Sequence, residues 1–212
     1  MLTIRNFSKS FSEELIISVP LLELGSGMHW IRGENGVGKT TFFKSLAGII
    51  PSEGKIEFND GISLDKFPVR YRERVNYAEA EPLYPGFLTS KDLIRFIGKA
   101  RKSSAQQQDR LIEKFGVHGY FHKPCATYSS GMLKKLSLVL AFLGTPKLIL
   151  LDEPLITLDG AAQGTLIDIM NEYMREQDTT ILLSSHQPLD SRDFSIKQRY
   201  NIYNKTLTPI SA

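Results

Sequence analysis

The chain has 212 residues and a formal net charge of +3, with 42% of residues hydrophobic and 23% charged. That balance suits one ordinary globular domain, or one core with a smaller inserted lobe, and is too mildly basic to argue for nucleic acid by itself. The single Cys125 excludes an internal disulfide framework and every multi-cysteine metal site, and it fits a reducing compartment.

Taken in order, residues 2–7 and 14–19 alternate like two short strands, with Phe11 in the connection between them. A chain that alternates from its start predicts no cleaved leader, and no apolar run approaches the ~20 residues of a membrane span. Any span is therefore expected on another chain. A strand over 27–32 leads into Gly33-Glu34-Asn35-Gly36-Val37-Gly38-Lys39-Thr40-Thr41, and a helix over 40–47 leads out. This stretch satisfies G-x-x-x-x-G-K-[ST] without a mismatch. Glycines let the backbone turn around a phosphate chain with no Cβ in the way, and successive N–H groups form an anion nest at the helix start. Lys39 is placed to reach β- and γ-phosphates and the Thr40 hydroxyl to ligate Mg²⁺. The stretch predicts a nucleoside-triphosphate site.

Gly, Pro and Ser within 48–54 end that helix, and 54–59 and 75–78 read as further strands. From Ser90 the apolar spacing turns helical, through Leu93, Phe96 and Ile97 and again through Leu111, Ile112 and Phe115. The Ser/Gln-rich stretch 100–108 is predicted as the connection between those helices. Lys91, Arg95, Lys99, Arg101, Lys102 and Arg110 form either a solvated face, the commoner case, or a binding patch. The expected organisation is an α/β core of residues 1–86 and 146–212 with a mostly helical lobe, 87–145, inserted.

Residues 147–152 are a continuous apolar run closed by a carboxylate, the pattern of a buried parallel strand. A helix over 160–176, a second buried strand over 179–184 and a terminal edge strand over 199–204 follow. There are no internal repeats, so no second ATPase unit is duplicated in this chain. Asp152, at its strand end, supplies the carboxylate that a phosphate loop needs for Mg²⁺. Glu153 stands next to it, placed to orient and polarise water against a γ-phosphorus. The alternative for such a pair is a helix cap or a solvated turn. His186 stands at the carboxyl end of a strand, where α/β sheets bind ligands, although a lone histidine is more often a packed or surface residue.

In this order the motifs resemble the nucleotide-binding subunit of ABC-type ATPases over nearly the whole length. Residues 33–41 match the Walker A of that family, and 148–154 match the Walker B with its catalytic glutamate. Asp159 stands in the D-loop position, and His186 matches the switch histidine. Phe11 sits where the family has the ring that stacks on adenine; packing in the core is the other reading. The signature Leu-Ser-Gly-Gly-Gln reads Tyr128-Ser129-Ser130-Gly131-Met132, keeping Ser129 and Gly131.

The resemblance implies an α/β P-loop NTPase core with a mostly parallel sheet, an N-terminal antiparallel β part and an inserted helical lobe. It implies catalytic roles for Glu153, His186 and Lys39, and ATP bound by Phe11 and by Gly33, Glu34, Asn35, Gly36, Val37, Gly38, Lys39, Thr40 and Thr41. Mg²⁺ is implied at Thr40 and Asp152. Ser129, Ser130 and Gly131 then act in trans, on ATP held by a second copy or a related subunit in a head-to-tail dimer. One departure is Ala80, where the family has a glutamine that touches metal or water; Glu79 or Glu81 is the candidate substitute. Residues 83–88 either line a groove for a membrane partner or pack the loop. The expected function is hydrolysis of ATP to power a transporter. The subunit is then peripheral on the cytoplasmic face of a membrane through separate permease subunits, with no direct nucleic acid. The alternatives are a soluble non-transport ATPase acting on nucleic acid or the ribosome, and a weakly catalytic nucleotide-dependent regulator.

Overall fold

The computed structural model describes residues 1–187, 189 and 194–210 and begins with a hairpin of β1 (Leu2–Phe11) and β2 (Glu14–Leu24). Alternation along both strands buries Leu2, Ile4 and Phe7 with Ile17, Val19 and Leu24. Both strands outrun the expected ranges, and Phe11 closes β1 opposite Glu14 rather than lying in a connection. The turn is only two residues long, with Ser12 at φ 52, so pairing continues to the strand ends. Strand β3 (Gly27–Arg32) and helix α1 (Lys39–Leu46) flank the glycine-rich loop, and β4 (Glu53–Phe58) returns antiparallel to β1. A short α2 (Pro68–Arg72), which the spacing did not predict, starts on a proline that needs no N–H partner and precedes β5 (Val75–Ala78).

Next come α3 (Ser90–Ala100), α4 (Ala105–Lys114) and α5 (Ser130–Ala141). The predicted connection 100–108 shrinks to residues 101–104. Ser104 accepts a hydrogen bond from Gln107 N, which makes it a helix cap and turns the glutamine run into the first turn of α4. Lys91, Arg95 and Lys99 are exposed on α3, whereas Arg101 donates to Arg72 O and Arg110 pairs with Glu172, so the six cations do not form one patch. The remaining elements are β6 (Leu148–Asp152), α6 (Gly160–Gln177), β7 (Thr180–Ser185), β8 (Ile196–Tyr203) and β9 (Thr206–Ile210). Among the described residues, no helix is long and apolar enough to cross a membrane.

Among the described residues, nine strands form one sheet in the order β4-β1-β2-β9-β8-β3-β7-β6-β5. From β8 to β5 the pairs are parallel, and β4-β1-β2 is antiparallel. The expected edge strand at 199–204 is in fact interior: β8 lies parallel to β3 on one side and antiparallel to β9 on the other. Alternation of residues along a strand does not reveal how many neighbours it has. The sheet separates two cores. Leu148, Leu150 and Leu182 pack with Phe42, Phe43 and Leu46 of α1, while Ile149, Leu151, Ile181 and Leu183 pack on the opposite side with residues of α5 and α6. Burial on both faces is why β6 and β7 read as unbroken apolar runs.

Asn76 of β5 fastens the sheet to the end of α5, donating to Ala141 O at 2.8 Å and Leu143 O at 2.9 Å from a buried position. Asn76→Ala leaves both carbonyls without that donor and is expected to lower stability by about 1–3 kcal/mol, read from urea unfolding midpoints.

Candidate functional site

Register brings the carboxyl ends of three parallel strands together, with Arg32 beside Ser185 and Asp152 beside Ser184. The loop that leaves β3 turns at Gly36 and Gly38, at φ 81 and 103, where a side chain would be strained. Gly38 caps α1 with no side-chain hydrogen bond. The free N–H end of that helix stands beside a cavity of about 430 Å³ lined by Asn35, Gly36, Gly38, Lys39, Thr40 and Thr41. Such an end attracts anions through its partial positive charge. Gly33, Glu34 and Val37 line a second, larger cavity of about 640 Å³, and His186 lines both. The larger cavity lacks Lys39, Thr40 and Glu153, which line the smaller one.

Lys39 is buried there. Its Nζ donates to Gly33 O at 2.7 Å and Glu34 O at 2.9 Å and lies 3.3 Å from Glu153 Oε1. Thr40 Oγ1 donates to Asp152 Oδ2 at 2.7 Å, and Ser184 Oγ donates to Asp152 Oδ1 at 2.6 Å. Ser184 Oγ also accepts from Glu153 N at 3.0 Å, so one hydroxyl orients both acidic residues. The Tyr77 hydroxyl reaches Asp152 Oδ2 at 3.4 Å; burial, then the Asp152 charge, push its pKa up and keep it a donor. Glu153 adopts φ 45, a left-handed conformation costing about 1–3 kcal/mol in a non-glycine residue. Its Oε2 accepts from His186 N at 3.3 Å and lies 3.0 Å from His186 Nδ1, while its buried Oε1 accepts no hydrogen bond. The carboxylate is thus held between an ammonium and an imidazole with one oxygen unused. Thr40 Oγ1 and Asp152 Oδ2 are adjacent hard oxygen donors, a pair that suits Mg²⁺ completed by phosphate and water. Among the described residues no cluster of three His, Cys, Asp or Glu offers an all-protein cage.

Other expected positions lie elsewhere. Phe11 is 51% exposed beneath Lys9, whose Nζ is 4.6 Å from the ring centroid, so it is no core residue, and it lines neither cavity. Ser129, Ser130 and Gly131 open α5 and also line neither cavity; Ser129 and Ser130 are exposed. Ser129 Oγ accepts from Met132 N at 3.3 Å, and a Cβ on Gly131 would come within 3.0 Å of Thr157 O. Asp159 caps α6 by accepting from Ala162 N at 2.8 Å and pairs with Lys135, whose hydrogen bond holds its carboxyl below the usual range. Leu83 and Phe87 are almost fully exposed, while Tyr84 and Leu88 pack on the helical core, so loop packing accounts for only part of 83–88. Of the two acids beside Ala80, Glu81 lines the smaller cavity and Glu79 turns towards Lys44.

Ser184, Tyr77 and Lys134 are the residues at this site that the motifs did not single out. Lys134 was detectable: with Leu138 and Ala141 it forms a buried i, i+4, i+7 face of α5, where a charge is unexpected. Its Nζ donates to Glu79 O at 2.9 Å, Ala80 O at 2.7 Å and Asp152 O at 3.4 Å. Burial lowers its pKa to about 8, against the upward pull of Asp152, Glu153 and Glu81.

A family model described as ABC transporter matches residues 23–156, more than half of the chain. The uncharacterized ABC transporter ATP-binding protein YxlF of Bacillus subtilis is 29% identical over 192 residues, covering 88% of this chain and 62% of that protein. The ABC transporter ATP-binding protein NatA of the same organism is 31% identical over 163 residues, covering 74% and 65%. This chain thus spans less than two thirds of either relative. A solved structure of an ATP binding subunit of an ABC transporter superposes with a TM-score of 0.89 at 25% identity, covering 100% of this chain and 90% of that one.

Proposed function

The chain belongs to the ABC transporter family, and from that membership we propose that it binds ATP on the 33–41 loop and hydrolyses it to power a transporter. The observation that carries this reading is the Glu153 carboxylate, held between Lys39 and His186 beside the start of α1, which no side chain caps. Backbone N–H groups of Gly33, Glu34, Asn35, Gly36, Val37 and Gly38 cradle the phosphates, and Lys39 exchanges its loop carbonyls for β- and γ-oxygens. Thr40, backed by Thr41, and Asp152 hold Mg²⁺, which when bound offsets phosphate charge. The free Oε1 of Glu153 orients the attacking water and takes its proton. His186 holds Oε2 and presents its other ring nitrogen towards the γ-phosphate. Phe11, exposed and flat beside a cation, stacks on adenine.

Because Ser129, Ser130 and Gly131 stand on an exposed helix start away from the cavity, they serve ATP held by a second copy or a related subunit, head to tail. Asp159, and the close space before Thr157 O that a Cβ at position 131 would crowd, support that same face. The exposed Leu83 and Phe87 support an apolar docking surface for separate membrane permease subunits, with the chain peripheral on the cytoplasmic face of that membrane. The complete Lys39-Asp152-Glu153-His186 cluster argues against a non-hydrolysing regulator.

Phosphate release from ATP by the purified chain tests the reading, and no release in the presence of magnesium would overturn it. Ser129→Ala removes a donor to the partner's γ-phosphate and is expected to lower kcat on the order of 10²-fold. ATP binding to the single chain should stay within about two-fold, as measured by calorimetry. Equal losses in turnover and binding would place Ser129 in its own chain's site.

A further inference from the structure

Helix α5 begins at Ser129–Gly131, where both serines are exposed, yet its next turn sends one charged side chain inward. Lys134 is 1% exposed. An ammonium has three N–H donors, and this one faces three backbone oxygens, Glu79 O, Ala80 O and Asp152 O. No carboxylate pairs with it directly among the described residues; Asp152, Glu153 and Glu81 act on it from farther off. An apolar residue of the same volume would avoid the desolvation of a buried charge, so packing alone does not call for lysine here.

The three oxygens belong to two segments that Lys134 joins. One is the loop after β5, which lines the reactive cavity through Ala80 and Glu81. The other is the end of β6, which carries Asp152 and Glu153. Ala80 has no polar side chain to connect that loop with Asp152, and the connection comes from α5 instead.

We propose that Lys134 is a positioning residue that ties the Asp152–Glu153 site of its own chain to the Ser129–Gly131 loop that serves the second copy. This rests on the dimeric hydrolysis proposed above. Rearrangement around Asp152 in one site is passed through the Lys134 hydrogen bonds to α5, and so to the ATP held by the partner. The two sites of the dimer then respond to ATP together.

The test measures ATP hydrolysis by the full chain across ATP concentrations, alongside ATP binding in a Glu153→Gln background. The wild type is expected to show a Hill coefficient approaching about 2, the number of coupled sites. Lys134→Met should reduce it to about 1 and lower kcat by about 10-fold or more, with single-chain ATP affinity within about two-fold. Lys134→Arg, which keeps the charge and the donors, should recover most of both losses. Lys134→Gln keeps an N–H donor without the charge, and it stands in if the methionine variant does not fold by circular dichroism. Ala80→Gln placed in the Lys134→Met chain should restore part of kcat by bridging the loop to the site from its own side.

Four results overturn the proposal: a wild-type Hill coefficient of 1; kcat and cooperativity unchanged in Lys134→Met, or in Lys134→Gln where that stands in; an arginine variant as impaired as the methionine one; or ATP affinity falling in step with turnover. A wild type without hydrolysis instead removes the functional reading itself and this inference with it. An active, cooperative wild type with an unaffected Lys134→Met removes the Lys134 role alone.

Discussion

Glu153→Gln is expected to lower kcat on the order of 10³-fold while leaving ATP binding within a few-fold of the parent chain. The geometry gives the reason. Oε1 of Glu153 is buried, accepts no hydrogen bond and is faced by the Lys39 ammonium at 3.3 Å. A carboxylate oxygen so placed can accept a proton from water, and an amide of the same shape cannot. The backbone hydrogen bond from Glu153 N to Ser184 Oγ at 3.0 Å does not depend on the side chain, so the strained φ of 45 and the position of Asp152 should persist. With binding intact and hydrolysis removed, the ATP-bound dimer should accumulate on size-exclusion chromatography. Unchanged phosphate release would take Glu153 out of the reaction and leave another group to activate the water.

The second large effect is expected from Lys39→Ala, with ATP affinity reduced about 10–100-fold, the range for losing a charge-assisted hydrogen bond to a buried anion. Three partners lose Lys39: Gly33 O, Glu34 O and the Glu153 carboxylate. The nucleotide-free chain should therefore also lose stability, and a thermal melt separates that loss from weakened binding. Glu153 keeps His186 as a neighbour at 3.0 Å, so the folded state should survive. Calorimetric titration with ATP decides the matter; affinity equal to the parent would mean that the phosphates do not rest on this loop.

Some of this site is legible in the sequence because its demands are local. Gly36 and Gly38 adopt left-handed backbone, Thr40 follows the lysine into the helix, and Asp152 closes a run buried on both faces. Each is a requirement on contiguous residues, and contiguous residues carry it. Capping is local too, but Ser and Gln suit a linker equally well: Ser104 caps the start of α4 instead of prolonging a loop. The extension of β1 through Phe11 depended on a two-residue turn, and the interior position of β8 depended on β9.

The amino-acid sequence by itself determined the glycine-rich loop 33–41, the two fully buried parallel strands and the order of the motifs, because helix and strand periods and glycine conformations act over a few residues. Only the tertiary structure decided that Ser184 orients both acids, that Glu153 lies between Lys39 and His186, that Phe11 is exposed, and that Lys134 rather than a side chain at position 80 bridges to Asp152. Those are meetings between segments far apart in the chain. Sheet register and helix packing bring them together, and no local pattern encodes which polar atom ends up opposite which.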